Sequence, residues 1–114
     1  MLQTQVQLLE HDFAQEKVSA LARLGRALEA ALDALARFDA EHAAASAEDR
    51  RSRAALVAGA GVALWHFVVQ REACGFRDIR QVLRDYRVPA EVAARMGVLP
   101  AAAKWPRRPP ALET

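Results

Sequence analysis

The sequence predicts an all-α fold, a long helical hairpin with two short C-terminal helices, and two such chains pairing into a dimeric four-helix bundle. Hydrophobic residues make up 53% of the 114 residues while aromatic residues make up only 6%. Most of the excess is alanine, which favours helix and loses almost no side-chain entropy there. Five glycines and five prolines are few for an all-β domain, and no long segment alternates polar and apolar residues. A chain of this length has room for one domain.

The first predicted helix runs from near Gln3 to near Ala44, since no proline interrupts this stretch. Its apolar residues recur at helical spacing, and from Leu21 to Phe38 they step by three and four as in a heptad repeat. Such a helix is about 60 Å long, against about 35 Å for a compact domain of this size. We therefore expect it to overhang a single chain. The predicted dimer seam consists of Leu21, Leu24, Leu28, Leu35, Phe38 and Trp65.

The second predicted helix begins after Ser46, which can cap free amides, and Asp49 stands where a capping-box acid would. It ends at Cys74, because Gly75 can take the left-handed conformation that terminates helices. Residues 54–69 are apolar on every face except at His66, so this helix is predicted to be the most buried element. Its 16-residue apolar run is short for a membrane span of about 20 residues. Glycines inside it suggest close approach to the first helix.

A third helix is predicted over about 77–86, with one apolar face, and a fourth from Pro89, suited to a helix start, to Gly97, suited to a helix end. Together these two are expected to fold over one end of the hairpin. Residues 100–114 contain four of the five prolines without periodicity, which is typical of an extended tail. The predicted organisation is one helical domain over residues 1–99 and a flexible tail over 100–114.

Charge is distributed unevenly along the chain. Residues 1–49 carry a net charge of −5 and residues 50–114 a net charge of +7, so the halves can attract each other, or the basic half can attract an anionic partner. A candidate anion or nucleic-acid face lies on the third helix: Arg77, Arg80, Arg84 and Arg87. Arginines in a row can neutralise successive phosphates. A solvated face, or one paired with the acidic first helix, is the alternative interpretation.

The sequence predicts no enzyme, cofactor or metal site. Cys74, the only cysteine, ends a helix, where the dipole disfavours a thiolate, and we interpret it as a small buried hydrophobe. His11, His42 and His66 lack a second His or Cys at helical spacing, which argues against zinc or iron. His66 is predicted to be a core histidine. The fourth helix offers only Glu91 and Arg95 as polar readers, too few for a helix-turn-helix recognition helix.

The segment 65–78, WHFVVQREACGFRD, followed by VLRDY over 82–86 and Val88-Pro89, resembles a small all-helical family of unknown function from high-GC bacteria. The alanine-rich stretch 20–38 is similar in the same family. The resemblance implies a domain of unknown function and assigns a role to no residue.

The leading hypothesis is a non-catalytic, cytoplasmic, homodimeric helical protein with a structural or interaction role. Its predicted partners are a second copy and an unidentified protein, with no membrane, since the apolar run is short for a span. The cytoplasmic location is predicted because the N-terminus has no signal-peptide pattern. The alternative is a nucleic-acid-associated regulator that uses the four arginines, helped by Arg107 and Arg108.

Overall fold

The computed structural model describes residues 2–42 and 46–97, and all regular structure in these ranges is helical. The four helices are α1 (Leu2–Glu41), α2 (Ala47–Ala73), α3 (Ile79–Asp85) and α4 (Ala90–Arg95). The predicted all-α class and the long N-terminal helix are confirmed. The tail predicted over 100–114 lies outside the described residues.

The helix ends follow from local chemistry. The Ser46 hydroxyl caps α2 by accepting a hydrogen bond from the Asp49 amide at 3.0 Å, as predicted. Gly75 and Gly97 have φ angles of +94° and +78°, the left-handed region that glycine adopts without strain. Helix α3 begins two residues later than predicted because the Asp78 side chain accepts from the Arg80 amide and so caps it.

Helices α1 and α2 form an antiparallel hairpin. Gly25 lies against the Phe67 ring, while Asp39, fourteen residues further along α1, pairs with Arg53, fourteen residues earlier on α2. Because both helices rise about 1.5 Å per residue, the end of α2 at Ala73 lies level with about Ser19. Helix α2 therefore covers only the part of α1 that follows Ser19.

The core lies between the two long helices and is closed by one residue from each short helix. Its nine buried apolar residues are Leu28, Leu35, Val57, Ala60, Leu64, Phe67, Val68, Val82 and Val92. Five of the nine belong to α2, which confirms the prediction that this helix is the most buried element. Its buried face is narrower than predicted, since residues on the opposite face are exposed.

The short helices pack along one side of the hairpin and not over its end, which corrects the prediction. Tyr86, after α3, is placed against Gly25, and Arg95 of α4 lies against Gly61. A β-carbon on Gly61 would come within 2.9 Å of the Arg95 carbonyl oxygen, whereas one on Gly59 would meet nothing within 4 Å. The glycines of α2 are thus not used for close contact with α1. Gly61 allows α4 to pack closely on α2, and Gly59 faces outward.

The chain is extended for its length. Its radius of gyration is 18.4 Å and its longest dimension 67 Å, whereas a compact domain of about 110 residues has a radius of gyration near 13 Å. The N-terminal half of α1, which continues past the end of α2, contributes to this extended shape. We call residues 4–18 of α1 the overhang.

Candidate functional site

Every side chain of the overhang is exposed, including five large apolar ones: Val6, Leu8, Leu9, Phe13 and Val18. Phe13 is 66% exposed and Leu9 57%. Val6, Leu9 and Phe13 are spaced by three and four residues, so they form one stripe on a helix face. The overhang is therefore an apolar helix face that no described residue of its own chain covers.

A second apolar face, on α2 and opposite the core, is likewise left uncovered by the part of the chain that the structure describes. It consists of Ala55, Gly59, Val62, His66, Val69 and Ala73, which we call the outer face of α2; these residues follow each other at steps of four and three. Val62 is half-buried and the others are exposed, Val69 by 47%. An amphipathic helix of a globular protein ordinarily presents polar residues on this side. Here the only polar side chain is that of His66.

The predicted dimer seam is used inside the chain. Leu28 and Leu35 are 0% and 3% exposed in the core, and Leu21 and Leu24 are half-buried against it. Leu28 and Leu35 are covered by α2 of their own chain, so they are not open to a second chain, whereas pairing of two chains through the rest of the seam stays a prediction. Their heptad spacing does not tell whether the covering helix belongs to the same chain or to another one.

The two aromatic residues assigned to the seam also make contacts within the chain. Phe38 stacks on the His42 ring with the centroids 4.0 Å apart. Trp65 is half-buried, and its indole lies within 3.7 Å of the position that a β-carbon on Gly97 would take. The exposed apolar stripe lies nearer the N-terminus, at Val6, Leu9 and Phe13, one residue out of the heptad register from which the seam was predicted.

An arginine that the sequence analysis did not single out joins three helices. Arg53 of α2 donates to both carboxylate oxygens of Asp39 on α1, at 2.7 and 3.1 Å. It also donates to both oxygens of Glu91 on α4, at 2.8 and 2.5 Å. Arg53 is 28% exposed in its side chain, so these bonds lie partly out of water. Two hydrogen bonds from one guanidinium to one carboxylate fix the relative orientation of the two side chains. We call Arg53, Asp39 and Glu91 the Arg53 clamp. The clamp holds α4 in place.

The Arg53 clamp changes the acidity of its members. Hydrogen bonding to the guanidinium lowers the pKa of Asp39 and of Glu91 below their ordinary values, 3.8 and 4.5. The two carboxylates in turn raise the pKa of Arg53, so it stays charged at any working pH. Burial raises the pKa of the Tyr86 hydroxyl, which lies on the same side of the hairpin as the Arg53 clamp.

We expect the stabilising effect of the clamp to depend on pH. Groups whose folded pKa is lowered contribute stability above their unfolded pKa and lose it as pH falls through the folded pKa. Wild type should therefore unfold at higher urea concentration than Arg53→Met from pH 5 to 8, and the difference should shrink below about pH 4. Arg50→Met, which removes an exposed arginine outside the clamp, is the control. An Arg53→Met deficit of equal size at pH 7 and pH 2.5 would contradict the clamp.

A model of a protein family of unknown function, DUF6665, matches residues 3–104 of the chain. The chain belongs to the DUF6665 family. This confirms the predicted membership of a family of unknown function. The match extends past residue 99, the predicted domain boundary. The chain matches no curated protein and no solved structure.

The four arginines of the predicted anion face do not form one helix stripe in this DUF6665 chain. Arg80 and Arg84 lie on α3, whereas Arg77 precedes it and Arg87 follows it with a φ of +50°. All four are exposed, and none forms an ion pair with another described residue. The stripe is broken because α3 is only seven residues long.

Helix α4 has the wrong surroundings for reading DNA. It is six residues long, and Glu91, one of its two polar readers, is held by Arg53. The other, Arg95, packs against Gly61, and its Nε atom is buried without a hydrogen-bond partner among the described residues. A recognition helix needs side chains free to reach base edges, and neither Glu91 nor Arg95 is free in this way.

The histidines and the cysteine considered as functional candidates in the DUF6665 chain do not form a common site. His66 is exposed, so the prediction of a core histidine is wrong; the indole of Trp65 lies beside it with the ring centroids 5.5 Å apart. His11 and His42 are exposed on α1 and just after it, and Cys74 is half-buried at the end of α2. Within the described residues, His, Cys, Asp and Glu form no group of three that could hold a metal.

Helix α2 is long and apolar enough to cross a membrane by length and composition alone. Buried core helices meet the same criterion, and the inner face of α2 supplies most of the core. What separates α2 from an ordinary core helix is its outer face, which is mostly exposed among the described residues. The overhang and the outer face of α2 are therefore the candidate interaction surfaces of this protein.

Proposed function

We propose that this protein is a non-catalytic, cytoplasmic, self-associating helical protein that forms homodimers through the overhang of α1. The observation that carries the proposal is the exposure of Val6, Leu9 and Phe13 on one face of a helix that no residue of 2–42 or 46–97 covers. Exposed apolar residues are common singly, but a row of them on a helix marks a contact surface.

The stability of the overhang supports the same proposal. Isolated helices shorter than about 12–15 residues are marginal in water, and helices in proteins gain most of their stability from packing an apolar face. The overhang is about that long and packs against no described residue of its chain. A second helix covering its stripe would supply the missing packing, as in coiled coils and helical bundles.

Phe13→Glu is expected to convert the dimer to a monomer. A carboxylate in the middle of the stripe cannot be buried without a large desolvation cost, so we expect the dimer dissociation constant to rise by at least about 100-fold, equivalent to about 2.7 kcal/mol. Sedimentation equilibrium at micromolar concentration measures this directly: wild type should have twice the chain mass of 12.5 kDa.

Gln15→Glu is the matched control, because it adds the same charge on the far side of the overhang, about 160° from Phe13 around the helix. It should leave the dimer intact. A wild-type chain that sediments as a monomer at 100 µM would overturn the proposal, as would a dimer that Phe13→Glu does not weaken.

The second candidate function is nucleic-acid binding through Arg77, Arg80, Arg84 and Arg87, and it is supported by their exposure and by the absence of ion pairs to them within the described chain. Gel retardation with double-stranded DNA at two salt concentrations tests it. Phosphate binding should weaken steeply with salt. No retardation at low salt would remove this candidate.

A further inference from the structure

We propose that a groove between α2 and α4 binds a small carboxylate that carries an apolar chain. The groove has a volume of about 450 Å³, which lies in the range of about 300–1,000 Å³ typical of small-molecule sites. It adjoins the Arg53 clamp, at the end of the hairpin away from the overhang. The proposal therefore goes beyond self-association through the overhang and does not depend on it.

The groove follows from the way α4 meets α2. The backbone of Arg95 lies against Gly61, and the Glu91 carboxylate is held by the long Arg53 side chain at 2.8 Å. Ala54 and Ala94 line the space beside these contacts, and alanine side chains are too short to fill it. Clamp and backbone contact together thus keep the groove open.

The floor of the groove is apolar. Ala54 and Val57 of α2 and Ala94 of α4 line it, and Val57, which is 7% exposed, belongs to the core. An apolar chain laid on these residues is removed from water together with them, which favours binding. The groove therefore suits a ligand that has an apolar part.

Two arginines in the walls of the groove are open to an anion. Arg50 and Arg95 line the groove from α2 and α4, and neither forms an ion pair with another described residue. Arg53, the third arginine of the lining, is already bound to Asp39 and Glu91. Because a guanidinium presents a planar fork of donors that matches a carboxylate, Arg50 and Arg95 are the groups that hold the anionic part of the ligand.

Arg95 carries an unsatisfied donor. Its Nε atom is shielded from water and has no hydrogen-bond partner among the described residues. Buried polar groups in folded proteins are nearly always hydrogen-bonded, and buried charges are paired. An anion in the groove supplies the counter-charge for this guanidinium that residues 2–42 and 46–97 do not supply.

The charge of the groove selects a monoanion. The Arg53 clamp combines one positive and two negative groups and has a net charge of −1. Adding Arg50 and Arg95 brings the net charge to +1. One carboxylate neutralises this charge, whereas a phosphate monoester, with a charge of about −1.5 to −2 at pH 7, leaves a negative excess beside Glu91.

Isothermal titration calorimetry of the full chain with octanoate tests the proposal. Octanoate should bind at least about tenfold more tightly than acetate, which has no apolar chain, and than octanol, which has no charge. Octanol binding as tightly as octanoate would overturn the role of the arginines. Tighter binding of octyl phosphate than of octanoate would overturn the choice of a carboxylate.

Variants of the arginines locate the site. Arg50→Met should raise the octanoate dissociation constant at least about tenfold, because one charge-assisted contact is lost, and Arg95→Met should do the same. Arg51→Met is the matched control: Arg51 is an exposed neighbour on α2 that does not line the groove, and its loss should leave the constant unchanged. Unchanged octanoate binding in both Arg50→Met and Arg95→Met would overturn the proposal.

Phe13→Glu separates this site from the proposed dimer. The groove is formed within one chain and lies away from the overhang, so Phe13→Glu should bind octanoate as tightly as wild type. Octanoate binding that disappears in Phe13→Glu would overturn the proposal, since the ligand would then sit on the overhang or need a second copy. A wild-type chain that is monomeric but binds octanoate would contradict only the proposed self-association.

Discussion

Replacing Leu28 by alanine is expected to lower the free energy of unfolding by about 2–5 kcal/mol. Leu28 is 0% exposed in the core between α1 and α2, so the truncation removes buried apolar surface and leaves a cavity. For a domain whose total stability is of the order of 5–15 kcal/mol, this is a large part. Urea denaturation followed by circular dichroism gives the value.

Leu9→Ala is the matched control for Leu28→Ala, since it is the same change on the same helix at a position 57% exposed. In a Phe13→Glu background, where the dimer is removed, Leu9→Ala should change the free energy of unfolding by no more than about 0.5 kcal/mol. With Phe13 restored, it should weaken the dimer. Equal losses from both leucines in the monomer would mean that the chain itself covers the overhang.

Gly61→Ala is expected to destabilise the monomer by about 1–3 kcal/mol, the usual cost of overpacking a close contact. The new methyl group would lie 2.9 Å from the Arg95 carbonyl oxygen and 2.9 Å from its β-carbon. Since part of the obstruction is backbone, α4 must shift, and the Arg53 clamp resists that shift. This cost exceeds the gain of up to about 1 kcal/mol that alanine brings to a helix interior.

Gly59→Ala provides the control two residues away on the same helix. Its methyl group meets nothing within 4 Å in the single chain, so only the helix-propensity gain remains, and the Phe13→Glu monomer should become more stable by up to about 1 kcal/mol. Denaturation of both variants in that background gives the comparison. A stabilising effect of Gly61→Ala as well would contradict the close packing of α4 on α2.

The helices and their ends were predictable because their causes are local. Ser46 capping α2, Gly75 ending it and Gly97 ending α4 each depend on residues within one helical turn. The central place of α2 followed from its lack of a polar face. These features need no knowledge of what lies across the fold.

Residue spacing alone could not predict which helix packs on each apolar face. Leu28 and Leu35 have the spacing of a dimer seam, and only the length of α2, which ends level with about Ser19, decides that its own chain covers them. In the Arg53 clamp, Arg53 is separated from Asp39 by 14 positions and from Glu91 by 38. No local sequence pattern therefore indicates the clamp. His66 was misplaced because one polar residue in an apolar run does not reveal which face is covered.

The most direct test of the central claim is amide hydrogen exchange of the overhang as a function of protein concentration. If a second copy covers residues 4–18, their amides should exchange slowly at concentrations where the chain is a dimer, and they should lose that protection on dilution or in Phe13→Glu. Core amides of α2 around Leu64 should stay protected throughout. Fast exchange of the overhang amides at every concentration would contradict the proposed dimer.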